Sequence, residues 1–143
     1  MRIACLGGGP AGLYFAISMK LRDASHDITV IERNRADDTF GWGVVLSDET
    51  LANLKNNDPV SAEAIQEFFA YWDDIALVHR GERLVSSGHG FCGIGRRKLL
   101  ELLQERAVAL GVKLEFETEI DDIEALCDQH DLVVAADGVN SRT

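Results

Sequence analysis

The chain has 143 residues, of which 46% are hydrophobic and 27% charged, the composition of one globular domain with enough apolar material for a core. With 14 basic against 24 acidic residues its formal charge is −10, which argues against a nucleic-acid partner, so any bound phosphate has to be met by local groups. Cys5, Cys92 and Cys127 lack C-x-x-C spacing and the four histidines lack ligand spacing, which predicts reduced, buried thiols and no metal site.

No apolar run approaches the roughly 18 residues of a membrane span, and Met1 leads straight into a strand pattern without a secretion signal. The expectation is a cytoplasmic protein with no membrane partner.

In chain order, Ile3 to Leu6 reads as a strand that runs into Gly7-Gly8-Gly9-Pro10-Ala11-Gly12. Gly7, Gly9 and Gly12 stand at G-x-G-x-x-G spacing. The first lets the chain turn off the strand, the second lets backbone approach a pyrophosphate, and the third lets a helix lie close on the sheet. A helix from about Pro10 to Leu21 follows, with Leu13, Ala16, Ile17 and Leu21 on one face and Pro10 in the first turn, where its missing N–H is harmless. Its N-terminus offers unpaired N–H groups to an anion.

Asp27 to Glu32 reads as a second strand, and Glu32 stands 20 residues beyond Gly12, where a ribose-binding carboxylate belongs. A Walker A loop is excluded, because no Gly-Lys-Ser/Thr follows the glycines. These features together read as a dinucleotide-binding turn. The alternative is a plain tight turn with Glu32 as a solvated strand end.

Arg33 to Asp38 forms a charged loop in which Arg33 is placed to reach an adenosine or phosphate group. Phe40 to Leu46 fits no simple periodic element. Trp42 between two glycines implies close backbone approach to something flat or bulky, or else a buried loop plugged by Trp42. Ser47 caps a short helix, and Ser61 with Glu63 opens another running to about Trp72, with Phe68, Phe69 and Trp72 assigned to the core.

Ile75 to Val78, the turn Arg80-Gly81-Glu82 and Leu84 to Ser87 form a hairpin that interrupts the βαβ succession. Gly88 to Gly95 reads as flexible or closely packed. Arg96 to Leu110 reads as a helix with Leu99, Leu102, Leu103, Ala107 and Leu110 as its stripe and Gly111 closing it. Val112 to Glu117 is a strand, Asp121 to Cys127 short and helical or irregular, and Asp131 to Ala136 a fully buried parallel strand. The loop Asp137 to Thr143 then sits at the C-terminal end of a parallel strand, where open α/β sheets bind ligands. The strands at Ile3, Val30 and Val133 are expected in one parallel sheet, with the glycine turn and Asp137 on the same edge.

Taken in order, the glycine motif, the acid Glu32, the Arg-x-x-Leu at Arg96 to Leu99 and the Asp137-Gly138 pair resemble the FAD-dependent aromatic hydroxylases, which are single-component flavoprotein monooxygenases. Ser25 to Arg33, Phe40 to Ser47 and Gly88 to Leu100 are similar to the N-terminal flavin module of the hydroxylases acting on CoA thioesters of salicylate or anthranilate, and less fully to the violacein-pathway hydroxylases. The resemblance implies an α/β, Rossmann-like FAD-binding fold with a parallel sheet and a β-hairpin insertion. Residues 1–143 would then be an N-terminal FAD-binding fragment lacking the later Gly-Asp motif and the substrate domain. In the wider family the Asp-Gly stretch continues as D-G-x-x-S-x-x-R; Ser141 fits, and the Arg falls one place beyond Thr143.

By the same resemblance, Gly7, Gly9, Pro10, Ala11 and Gly12 take the FAD pyrophosphate, and Glu32 takes the adenosine ribose with Arg33 beside it. Arg96 faces the pyrophosphate or adenosine side, Asp137 and Gly138 serve FAD and NAD(P)H, and the Trp42-Gly43-Val44 backbone lies near the isoalloxazine. The implied chemistry is NAD(P)H-driven transfer of oxygen from O2 to an aromatic substrate, a CoA thioester foremost. No catalytic side chain is nominated, and His79 and His89 read as structural. The residues by themselves leave open a nicotinamide-dependent dehydrogenase, a methyltransferase and a non-catalytic dinucleotide-binding module.

Overall fold

Residues 1–141 are described by a computed structural model. The centre is a parallel sheet of β1 (Arg2–Leu6), β2 (Asp27–Ile31), β8 (Lys113–Glu115) and β9 (Leu132–Ala135), in the order β8-β2-β1-β9. Cys5 aligns with Val30 on one side and Val134 on the other. Alternate residues of a strand point to opposite faces, so β1 feeds two cores at once. Ile3 and Cys5, with Ile28 and Val30, pack under α1 (Pro10–Arg22) and α4 (Arg96–Ala109). Ala4, Leu6 and Ile31 face Leu126 of α5 (Ile123–Gln129). Burial pushes the Cys5 thiol up to about 11, so it stays protonated and packs as a small apolar side chain.

The expected α/β architecture is present, and several local expectations are corrected. β9 is half-exposed rather than fully buried, because among the described residues it pairs with β1 alone and lies at a sheet edge. Cys127 is exposed, unlike Cys5 and Cys92. The helix expected from Ser61 to Trp72 is shorter and earlier: α3 (Pro59–Gln66) starts behind Asp58 and stops because the chain is drawn into β4 (Ala70–Trp72). α2 (Asp48–Asn57) precedes it, with Ser47 Oγ accepting from Thr50 N at 3.3 Å as its cap.

β4 belongs to a second, antiparallel sheet in the order β3-β7-β4, with β3 (Gly43–Leu46) and β7 (Phe91–Gly95). Both glycine-rich stretches that lacked a clear period are therefore strands. Their periodicity is hidden because glycine stands where two strands come together: a Cβ on Gly43 would lie 2.9 Å from the Ile94 carbonyl oxygen. Trp42 is 98% exposed and plugs no core. Phe68 and Trp72 are exposed too, Trp72 lying at the sheet edge opposite Phe91, while Phe69 does pack on the core. The expected hairpin is β5 (Ile75–His79) and β6 (Glu82–Ser86), joined through Arg80 and Gly81, both at positive φ as a two-residue hairpin turn requires.

Candidate nucleotide-binding cleft

The ends of three strands meet where β1 stops. Gly7 N donates to Ile31 O at 2.8 Å and Ala136 N to Leu6 O at 2.7 Å, so the tips of β1, β2 and β9 are laced together beside the glycine turn. Gly7 has φ +107°, and a Cβ there would lie 2.4 Å from the Ala136 carbonyl oxygen. A Cβ on Gly12 would lie 2.0 Å from the Gly7 oxygen. Both glycines are thus demanded by the fold. Gly9 is different: apart from its own chain neighbours, no atom of the described residues lies within 4 Å of its Cβ position, so space is left open there. α1 starts from Gly9 with no side-chain cap and no acid in its first turn, which leaves the positive end of its dipole available to an anion.

Glu32 follows β2 directly and is held on both oxygens. Oε2 accepts from Gly8 N at 2.7 Å, and Oε1 accepts from Asn34 N at 2.8 Å and Asn34 Nδ2 at 2.7 Å. A carboxylate accepts about four hydrogen bonds, so one position remains for a further donor. Asn34 was not singled out in the sequence; its signal was a short amide two residues after the acid, where it closes a local turn. The segment after β8 completes this wall: Thr118 N donates to Glu32 O at 3.0 Å and Glu117 N to Asn34 O at 3.1 Å. Glu117 reaches that position only through a left-handed φ of 54°.

These walls enclose a cleft of about 560 Å³ at the C-terminal edge of the parallel sheet. Gly7, Gly9, Pro10, Ala11, Glu32, Arg33, Arg96, Asp137 and Gly138 all line it. Gly12 lies sealed under Gly7. Trp42, Gly43 and Val44 are not brought to it: Gly43 and Val44 are committed to pairing with Gly95 and Ile94, while the Trp42 carbonyl accepts from Arg96 N at 3.1 Å. Arg142 and Thr143, at the end of the loop expected from Asp137, lie outside the described residues.

Among the described residues, Arg96 Nε and Thr39 Oγ1 are buried without a hydrogen-bond partner, and both belong to residues lining the cleft. A buried donor left unpaired is costly, so the cleft carries an unmet demand for an acceptor that a phosphate oxygen would satisfy. No His, Cys, Asp and Glu group among the described residues is placed to hold a metal ion, and no helix among them is long and apolar enough to cross a membrane.

No protein-family model matches the chain. It is 48% identical to a salicyloyl-CoA 5-hydroxylase from a Streptomyces species, over 99% of this chain and 27% of the relative. It is 35% identical to the protodeoxyviolaceinate monooxygenase of Chromobacterium violaceum, over 100% of this chain and 39% of the relative. A 3-hydroxy-4-methyl-anthranilyl-[aryl-carrier protein] 5-monooxygenase of Streptosporangium sibiricum is also 35% identical, with 40% of its length covered. The chain thus spans well under half of each of these relatives.

Among solved structures, FqzB superposes with a TM-score of 0.77 at 18% identity, covering 99% of this chain and 37% of that one. 2-Methyl-3-hydroxypyridine-5-carboxylic acid oxygenase superposes with a TM-score of 0.71 at 24% identity, covering 82% and 32%. CtdE, solved in complex with FAD and a substrate, gives 0.69 at 17% identity, covering 85% and 31%. These establish the shared fold. Over nearly its whole length the chain is similar to a portion of these monooxygenases, and its strands and helices are arranged as in FqzB and the FAD-bound CtdE.

Proposed function

We propose that the cleft holds the ADP half of FAD and that residues 1–143 are the FAD-binding domain of an NAD(P)H-dependent monooxygenase hydroxylating an aromatic substrate. The observation that carries this is the pairing, across one cleft, of an oriented carboxylate with an acceptor position left over and a buried Arg96 Nε with no hydrogen-bond partner among the described residues. Glu32 takes the adenosine ribose hydroxyls, with Arg33 beside it. Gly7, Gly9, Pro10, Ala11 and the N-terminus of α1 take the pyrophosphate over the tightly seated Gly12. Arg96 neutralises the same group from the opposite wall, and Asp137 and Gly138 complete the edge at the end of β9. Trp42, whose carbonyl is fastened to Arg96 N, and Gly43 and Val44 at the start of β3, lie toward the isoalloxazine.

FAD, once bound, supplies the reduction by NAD(P)H and the activation of O2; the residues of this chain bind and orient it. An aromatic acyl-CoA thioester is the proposed substrate, a choice that rests on the name of one relative. Three free cysteines suit the reducing cytoplasm.

The test, made on the longer protein of which this domain is the proposed part, is titration with FAD, followed by salicyloyl-CoA-dependent oxidation of NADH or NADPH in air. A colourless protein that neither binds FAD nor quenches its fluorescence would overturn the assignment.

A further inference from the structure

The outer rim of the cleft, residues 35–39, is shaped by the protein before any ligand arrives. Arg35 N donates to Asp38 Oδ2 at 3.2 Å and Asp38 N donates to Arg35 O at 3.1 Å, which closes a compact turn. Two carbonyls of that turn are engaged from α4. Gln104 Nε2 donates to Ala36 O at 3.0 Å, and Arg97 Nη2 donates to Asp37 O at 3.0 Å, with Asp37 Oδ2 3.8 Å from the same nitrogen.

Arg97 and Gln104 are seven residues apart, two helical turns, and so share a face of α4. The first residue of that helix, Arg96, lines the cleft. One helix therefore presents a cation to the cleft and a pair of donors to its rim. A hollow of about 120 Å³ remains between rim and helix, lined in part by Leu100, beside the two donors that hold the rim.

We propose that Gln104 and Arg97 are positioning residues for nucleotide binding. By holding the Ala36 and Asp37 carbonyls they fix the rim that follows the ribose-binding Glu32, and with it Thr39, whose buried hydroxyl has no partner among the described residues. This rests on the FAD reading above. A rim ordered in advance spares the ligand the entropic cost of ordering it, so the clasp acts on affinity for the adenosine-containing half of the cofactor. Glycine motifs and terminal acids mark the phosphate and ribose sites in sequence, whereas the clasp depends on two side chains 60 and 68 residues away meeting backbone carbonyls.

The experiment compares Gln104→Glu, which keeps the shape but loses the amide donor, Arg97→Met, which loses the guanidinium, and Arg97→Lys, which keeps a donor. FAD binding is followed by fluorescence and ADP binding by calorimetry. Gln104→Glu and Arg97→Met are expected to raise Kd for both probes by roughly 3- to 10-fold, the loss of one modest hydrogen bond, with Arg97→Lys restoring most of it. Amide hydrogen exchange is expected to speed up at residues 35–39 and to stay unchanged along α4. Wild-type Kd values in Gln104→Glu and Arg97→Met would overturn the proposal, and so would exchange that accelerates along α4 as much as at the rim. A wild-type protein that binds neither FAD nor ADP would overturn the FAD reading itself, whereas wild-type binding with unaffected variants overturns only the clasp.

Discussion

Gly9 and Gly12 sit three residues apart in one motif and answer to different demands. Gly9→Ala places a methyl group in open space at φ −75°, a conformation any residue adopts. It is expected to cost at most about 1 kcal/mol, the preference for glycine over alanine at a helix N-cap, while weakening FAD binding by blocking the backbone's approach to the pyrophosphate. Gly12→Ala drives a methyl group into backbone at 2.0 Å and is expected to destabilise the fold by roughly 2–4 kcal/mol. Urea melts and FAD titrations of both variants check this; a Gly9→Ala protein with unchanged affinity would remove that glycine from the cofactor site. Glu32→Ala is expected to raise the FAD Kd about tenfold or more, because ribose hydroxyls are left unpaired at a cost of roughly 1–3 kcal/mol. An unchanged Kd in the titration would count against the role given to Glu32.

At the scale of elements, the helical layer over the sheet is held by an ion pair between consecutive helices. Asp58, 1% exposed at the α2–α3 junction, accepts from Arg106 Nε and Nη2 of α4, both at 2.9 Å, and from Ser61 Oγ at 2.5 Å. Burial pushes the Asp58 carboxyl up, but the bonds from Arg106 and Ser61 and the guanidinium charge outweigh it, and its pKa lies below the ordinary carboxylate value. A carboxyl more acidic folded than unfolded contributes stability that is fully present above its unfolded pKa and is lost as pH falls through the folded value. The contribution of Asp58 is therefore complete at neutral pH and fades in acid. Arg106→Met is expected to cost roughly 3–5 kcal/mol at pH 7, since it leaves a buried carboxylate unpaired, and less at pH 3. Urea midpoints of the wild-type and Arg106→Met proteins across that range measure it; a deficit independent of pH would show that packing, not charge, holds the junction.

For the molecule as a whole, the second sheet and its hairpin carry much of the exposed apolar surface. Leu77, Val78 and Leu84 of the hairpin are 59%, 68% and 62% exposed, and Trp42 beside β3 is almost fully exposed. Large apolar side chains left exposed in such number favour association unless they are covered. A polypeptide of residues 1–143 is expected to self-associate, to retain FAD weakly and not to hydroxylate, because the open cleft does not exclude water from the reacting end of the cofactor. Gel filtration with flavin absorbance, and NAD(P)H-driven O2 consumption, test this. A monomer that stays yellow and forms product would show the domain to be self-sufficient.

The parallel sheet holding the strands at Ile3, Val30 and Val133, and the meeting of the glycine turn and Asp137 on one edge, were legible in the sequence, because each rests on local chemistry: apolar strand runs, glycine spacing and an acid at a strand end; the order of the strands was not. β3 and β7 were not, since their glycines answer to a neighbouring strand and erase the alternation that marks a strand. The end of α3 was missed for a related reason: Phe69 to Trp72 carry a pattern that suits a helix face, and pairing with β7 decided otherwise. Asn34 on Glu32, the unpaired Arg96 Nε and the grip of Gln104 and Arg97 on the rim came only from tertiary structure. Each joins a side chain to a group whose position is set by the packing of other elements, and spacing along the chain holds no trace of that distance.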